Sequence, residues 1–202
     1  MKSGFTLAEL LIVIAVLSTA GLLVLSVFTS SLRGSNKAQI LSSIKKNGQS
    51  ALDSMDKTIR NADNLVCPTL LFPVFTLVIV KDGIYTRYRF IAQTSLVNGQ
   101  IQQDIPVKQN VKDSNPPREE TDSELADRVC PDLSFMLPPN VLTDTDPKSG
   151  VSVEEGSFTT NSSPGFKNQV KIQFKLKPGV GAPEGIRGQI DPVSFETTVS
   201  LR

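Results

Sequence analysis

Histidine and tryptophan are absent from this chain of 202 residues, and tyrosine occurs only twice. Without His there is no Ser–His or Cys–His nucleophile pair, no side chain poised to titrate near neutral pH, and none of the commonest metal ligand. Cysteine is nearly as scarce. Cys67 and Cys130 are the two thiols, too few for a metal centre without imidazole help. No catalytic constellation survives these absences, so no enzyme, no cofactor and no metal is expected. The formal net charge is +1, which gives no general attraction to nucleic acid. Proline is missing before Pro68, and charge is missing from much of the same region. Between Lys2 and Arg33 the sole charged side chain is Glu9.

What fills that region is apolar. Residues 5–28 are a run of about two dozen residues, ~36 Å of helix, against a hydrocarbon core of ~30 Å. A carboxylate inside such a span costs roughly 2.5–3.5 kcal/mol, so Glu9 needs a partner. With no proline to stop it, one helix is expected from about residue 5 to residue 64. Beyond the run, Ile40, Leu41, Ile44, Leu52, Met55 and Ile59 recur at helical spacing. Lys45, Lys46, Asn47, Asp53, Asp56 and Lys57 fall mostly on other sides. The stripe is expected to pack on a sheet, with Gly34 and Gly48 as weak points of the helix.

Six consecutive residues, Gly4-Phe5-Thr6-Leu7-Ala8-Glu9, resemble the processing site of type IV pilins and type II secretion pseudopilins. The resemblance implies a dedicated prepilin peptidase that cuts after Gly4 and methylates the new N-terminal Phe5. It divides the chain into a leader (1–4), a transmembrane or filament-core half of the helix (5–28) and an exported amphipathic half (29–66). A β-rich domain (67–202) completes the chain. The implied fold is α+β and pilin-like, a long N-terminal helix packed on an antiparallel sheet. The implied partners are the peptidase, other pilin or pseudopilin subunits, and the membrane. The implied location is the inner membrane, with the C-terminal domain outside the cytoplasm, and then the filament. Arg33 and Lys37 just past the span argue for the reverse orientation by the positive-inside rule, and the motif overrides them.

A physical reason joins the cut to Glu9. Cleavage would free an α-amine on Phe5, cationic near neutral pH, and methylation keeps its charge. Glu9 lies four residues on, on the same helical face. Two charges that are costly alone become tolerable as a pair, within one subunit or between neighbours, and the family resemblance favours neighbours. Relatives often carry a proline midway along this half of the helix, whereas this chain has Gly21 and Ser26 there. An exported domain also meets an oxidising compartment, which makes a Cys67–Cys130 disulfide the expectation and two buried thiols the alternative.

The remainder reads as strands. Residues 74–80 and 84–91 flank Asp82-Gly83, a hairpin signal, and Asn98-Gly99 marks a second turn before residues 100–107. Residues 108–128 are polar and acidic and read as an exposed loop with room for one helical turn. Apolar character returns at 135–142. Val170, Ile172, Phe174 and Leu176 alternate with polar residues, as do Phe195, Thr197, Val199 and Leu201, so both are half-buried antiparallel strands. Residues 178–192 join them. The ending Thr197-Thr198-Val199-Ser200-Leu201-Arg202 resembles the last strand of J-type minor pseudopilins.

Three weaker sites complete the survey. The acids from Asp113 to Asp127 read as a solvated loop rather than a calcium site, and Asp144-Thr145-Asp146 as an Asp-rich turn. Tyr85, Arg87, Tyr88 and Arg89 read as an ordinary exposed strand face rather than a DNA contact. The competing functional class is a single-pass anchored module that binds DNA or another ligand.

Overall fold

The computed structural model describes residues 6–67, 75–111, 118–130, 139–161 and 167–202. The chain is α+β, and it divides into two units between Ile40 and Leu41. The first unit is helical from Leu7 onward. Helix α1 starts at Leu7 and runs without a break to Arg60, so its first part belongs to this unit and its last part to the second. Its apolar side chains from Leu7 to Phe28 are exposed. Length and composition suffice for one membrane crossing. Ser18 and Thr19 return their hydroxyls to carbonyls one turn back, Ile14 and Ala15, which removes two polar groups from the apolar surface.

The second unit is built on two antiparallel sheets. The first has the order β1 (Asn64–Leu65), β2 (Thr76–Lys81), β3 (Ile84–Ile91), β4 (Gln100–Asp104) and, after β5 (Asn110–Val111) and β6 (Arg118–Glu119) have formed a small ribbon of their own, β7 (Asn140–Val141). The second sheet has the order β10 (Val193–Ser200), β9 (Gln169–Pro178), β8 (Val151–Asn161). Helix α2 (Asp122–Val129) precedes β7, and the short α3 (Glu184–Arg187) lies between β9 and β10.

β2 and β3 turn at Asp82 and Gly83, both at positive φ (49° and 76°), the conformation a two-residue type I′ hairpin needs. Tyr85 pairs with Val80 and Arg87 with Val78, which puts these four on one face of the sheet. Leu77, Ile79 and Tyr88 alternate onto the other. The first face carries α2. Leu125 and Val129 pack with Val78, Tyr85 and Cys67 in one buried cluster. The second face meets the last turns of α1, where Tyr88 reaches the level of Thr58 and burial raises its phenol above the ordinary value. Within α1 the buried stripe is Ile44, Gly48, Ala51, Met55 and Ile59, a spacing of three and four. Ile40, Leu41 and Leu52 are only half-buried.

Several expectations need correction. The helix stops at Arg60 rather than Asn64, because Asp63 turns aside to accept the Asp82 backbone N–H (2.8 Å) and Asn64 joins β2. Gly48 is a contact, not a weak point: a Cβ there would run into the Phe195 ring. Asn98-Gly99 is no tight turn. Thr94 closes the turn instead, its N–H donating to the Val97 carbonyl (3.0 Å), and Asn98 is an internal tie. Its amide donates to the Thr145 and Asp146 carbonyls (3.2 and 3.0 Å) and accepts from the Val180 N–H (2.7 Å). β8 had no counterpart in the sequence reading. Its acids, Gly156 and a bulge between Val153 and Glu155 break the two-residue alternation. Of the apolar stretch at 135–142, residues 135–138 lie outside the described residues.

Candidate functional site

At the amino end, α1 begins immediately after Thr6. The Thr6 hydroxyl accepts from the Glu9 N–H (3.3 Å), and the Glu9 carboxylate accepts from the Thr6 N–H and hydroxyl (both 3.5 Å). This is the reciprocal arrangement of a capping box, with Glu9 at the third helical position. The Thr-x-x-Glu spacing signals it in the sequence, and it gives Glu9 a local task besides any pairing with an amine. Glu9 also stands in the first turn, where the helix dipole favours a carboxylate. Gly4 and Phe5, the residues of the expected cut and methylation, lie outside the described residues.

Cys67 and Cys130 are bonded, their Cα atoms 5.8 Å apart and 63 residues apart in sequence. The bond joins the segment just past β1 to the C-cap of α2. That helix has eight residues, too few to persist alone. Its start carries a second capping box: Thr121 accepts from the Glu124 N–H (3.3 Å), and Glu124 accepts from the Thr121 N–H (2.8 Å). Three ion pairs hold it: Lys108–Asp122 at 2.7 Å, Arg118–Glu124 at 2.5 Å and Arg128–Glu120 at 2.7 Å. Tyr85 donates to Asp122 (2.5 Å). Arg118 beside it and the Thr121 N–H push the Glu124 carboxyl down to about 2. Arg128 holds Glu120 low, and Lys108 and Tyr85 hold Asp122 low.

The region read as a solvated acidic loop is therefore a clamp. Three of its acids, Glu120, Asp122 and Glu124, are held in ion pairs, and Leu125, Ala126 and Val129 are buried. The Thr121-x-x-Glu124 spacing was the missed signal. Asp113 lies outside the described residues. Asp146 accepts from the Lys148 and Ser149 N–H groups (both 2.8 Å), which holds its carboxyl low and makes the Asp144–Asp146 segment a closed turn. Among the described residues no group of three or more His, Cys, Asp or Glu side chains could hold a metal ion.

The strand with Tyr85, Arg87, Tyr88 and Arg89 is not an exposed face. All four side chains are buried. Arg87 forms a bidentate pair with Asp104 (2.9 and 2.5 Å) and also donates to the Val129 carbonyl at the end of α2 (3.3 Å). The pair is almost sealed from solvent, at 1% and 4% side-chain exposure. A basic strand beneath a helix offers nothing to a phosphate backbone.

A groove of about 610 Å³ opens between the two sheets' Phe90 and Phe174. Its apolar wall is a run of rings. Phe90 stacks on Phe158 (centroids 4.7 Å), Phe90 lies 5.8 Å from Phe174, and Phe174 stacks on Phe195 (5.1 Å). Gly156 leaves room for the Phe90 ring. The rim carries Glu155 and Glu196, each matched by a lysine, Lys175 (2.9 Å) and Lys171 (2.7 Å).

No family model, no curated protein and no solved structure matches the chain.

Proposed function

We propose that the protein is a structural subunit of a type IV pilus or of a type II secretion or competence pseudopilus. In this reading it is cut after Gly4, methylated on Phe5 and assembled by packing of its N-terminal helix, without catalysis. The observation that carries the reading is Gly4-Phe5-Thr6-Leu7-Ala8-Glu9 placed at the head of one apolar helix. The layout supports it: a helix capable of spanning a membrane leads into antiparallel sheets closed by a disulfide.

Peptide mass spectrometry in cells with a prepilin peptidase tests the processing step. The expected N-terminus is Phe5, heavier by one methyl group. A mature protein that retains Met1 sinks the proposal. Assembly is tested by comparing sheared filaments with membranes for Glu9→Leu and Glu9→Gln. Gln keeps an acceptor for the Thr6 cap but no charge. If Glu9 pairs with an amine, both variants stay in the membrane fraction. If it serves only as a cap, Gln assembles like the wild type.

The groove walled by Phe90, Phe174 and Phe195 favours one other reading, an anchored module that binds an apolar ligand. Under that reading both Glu9 variants keep full function.

A further inference from the structure

The charge pattern along α1 has a feature that the Glu9 pairing leaves unused. Between Glu9 and Asp53 the helix has no carboxylate, and its first two cations are Arg33 and Lys37. Both belong to the unit that ends at Ile40 and both are exposed. Four residues apart, they share one helical face. Among the described residues neither enters an ion pair. Short donors surround them in sequence: Ser30, Ser31, Ser35 and Asn36; the Thr29 hydroxyl already donates to the Leu25 carbonyl.

Depth follows from helical rise. The uncharged stretch from Leu10 to Leu32 is roughly 35 Å long, slightly more than a ~30 Å hydrocarbon core. Arg33 is the first residue beyond it, and Lys37 follows ~6 Å further out. The headgroup layer on each side of a bilayer is about that thick. Two cations on one face thus stand in the layer where lipid phosphates are densest. A zwitterionic lipid brings its own ammonium and leaves the two charges uncompensated. A lipid of net negative charge compensates one of them.

We propose that residues 30–37 form a binding site for an anionic phospholipid headgroup, with Arg33 and Lys37 on the phosphate and the neighbouring serine hydroxyls as additional donors. The proposal rests on the membrane-spanning reading of α1. A cation near an anionic surface shifts partitioning roughly fivefold. Two of them suffice to select acidic from zwitterionic lipid. The attraction weakens with salt, because the groups face water.

The test uses the full chain in lipid nanodiscs, with phosphatidylglycerol as a minority component in phosphatidylcholine. Native mass spectrometry counts the lipids that stay bound on release. The wild type is expected to retain phosphatidylglycerol at least fivefold above its share of the disc. Arg33→Gln/Lys37→Gln should retain the two lipids in the disc ratio, with unchanged helical circular dichroism. Lys45→Gln/Lys46→Gln, altered eight and nine residues past Lys37, should stay selective. Wild-type retention in the disc ratio overturns the proposal. So does a selective Arg33→Gln/Lys37→Gln, or equal loss in both double variants. Displacement of the lipid by millimolar inorganic phosphate assigns the site to free phosphate and overturns it as well. A chain washed out of bilayers by alkaline carbonate defeats the spanning reading and this proposal together. A chain that stays in without selectivity defeats this proposal alone.

Discussion

The ring of Phe195 occupies the space that a Cβ on Gly48 would need. A helix interior normally disfavours Gly by up to about 1 kcal/mol relative to Ala. Here that cost lets β10 approach the buried stripe of α1. Gly48→Leu should therefore destabilise the protein by about 1–3 kcal/mol through overpacking. The sharper test is a cycle with Phe195→Ala. In that background Gly48→Ala should stabilise, by up to about 1 kcal/mol, whereas with Phe195 present the gain should vanish or reverse. Gly34, with nothing within 4 Å of its Cβ position, should accept Ala with a gain in either background. Urea midpoints of the detergent-solubilised chain supply the comparison.

Breaking the Cys67–Cys130 bond should loosen α2 from the sheet. The bond closes a loop across a sequence separation of 63 residues, worth about 4 kcal/mol in the chain-entropy account. Cys67→Ser/Cys130→Ser is expected to lower the urea midpoint accordingly. Hydrogen exchange should rise first in Asp122–Val129, because eight residues cannot sustain a helix unaided. Unchanged protection of α2 would show that the ion pairs alone secure it.

Removing one partner of the sealed pair should cost more than removing both. Asp104→Leu leaves Arg87 charged beneath α2, at about 3–5 kcal/mol. Arg87→Met/Asp104→Leu replaces the pair with apolar volume and should recover most of that loss. A double variant no more stable than the single one would mean that the Arg87 bond to the Val129 carbonyl matters more than the charge.

Acid should release α2 before it unfolds the sheets. Glu120, Asp122 and Glu124 all titrate below their ordinary values in the folded chain, Glu124 at about 2. Such groups stabilise fully above their unfolded values, near 4, and the contribution disappears as pH falls through the folded ones. The melting temperature should hold from neutrality to about pH 5 and drop progressively between about pH 4 and pH 2. Glu124→Gln should flatten that drop. Asp122 and Glu124 are exposed, so salt should shrink their share of the effect, whereas Glu120 is buried beside Arg128 and should be screened less. A loss of stability that begins above pH 6 would point to groups other than these.

The elements that were legible from sequence are those with one uninterrupted period. α1 has no proline to stop it. β9 alternates strictly from Val170 to Leu176, and Asp82-Gly83 names its own turn. α2 was hidden because its signals are short: three apolar residues in eight, under a surplus of acids that read as solvent-loving. Three of those acids prove to be halves of ion pairs, and two of the partners, Lys108 and Arg118, come from outside the helix. Arg87 and Arg89 misled for a related reason. An arginine in a strand reads as exposed, and only the fold brings Asp104 and the end of α2 over Arg87. At the amino end the Thr6–Glu9 cap is legible from its three-residue spacing alone.

Asn98-Gly99 bears on how the molecule ages. Asn-Gly is the dipeptide most susceptible to spontaneous deamidation, because the glycine nitrogen attacks the asparagine amide and closes a succinimide ring. Here Gly99 donates its N–H to the Ser152 hydroxyl (2.9 Å), and the Asn98 amide is held at both its nitrogen and its oxygen. Neither reacting group is free to turn toward the other. The exposed Asp82-Gly83 turn has no comparable restraint on its side chain, and its slow isomerisation should proceed in the folded protein. Isoaspartate at position 98 would then accumulate only during excursions in which the domain opens. Its ratio to isoaspartate at 82 becomes a chemical clock of how often that happens.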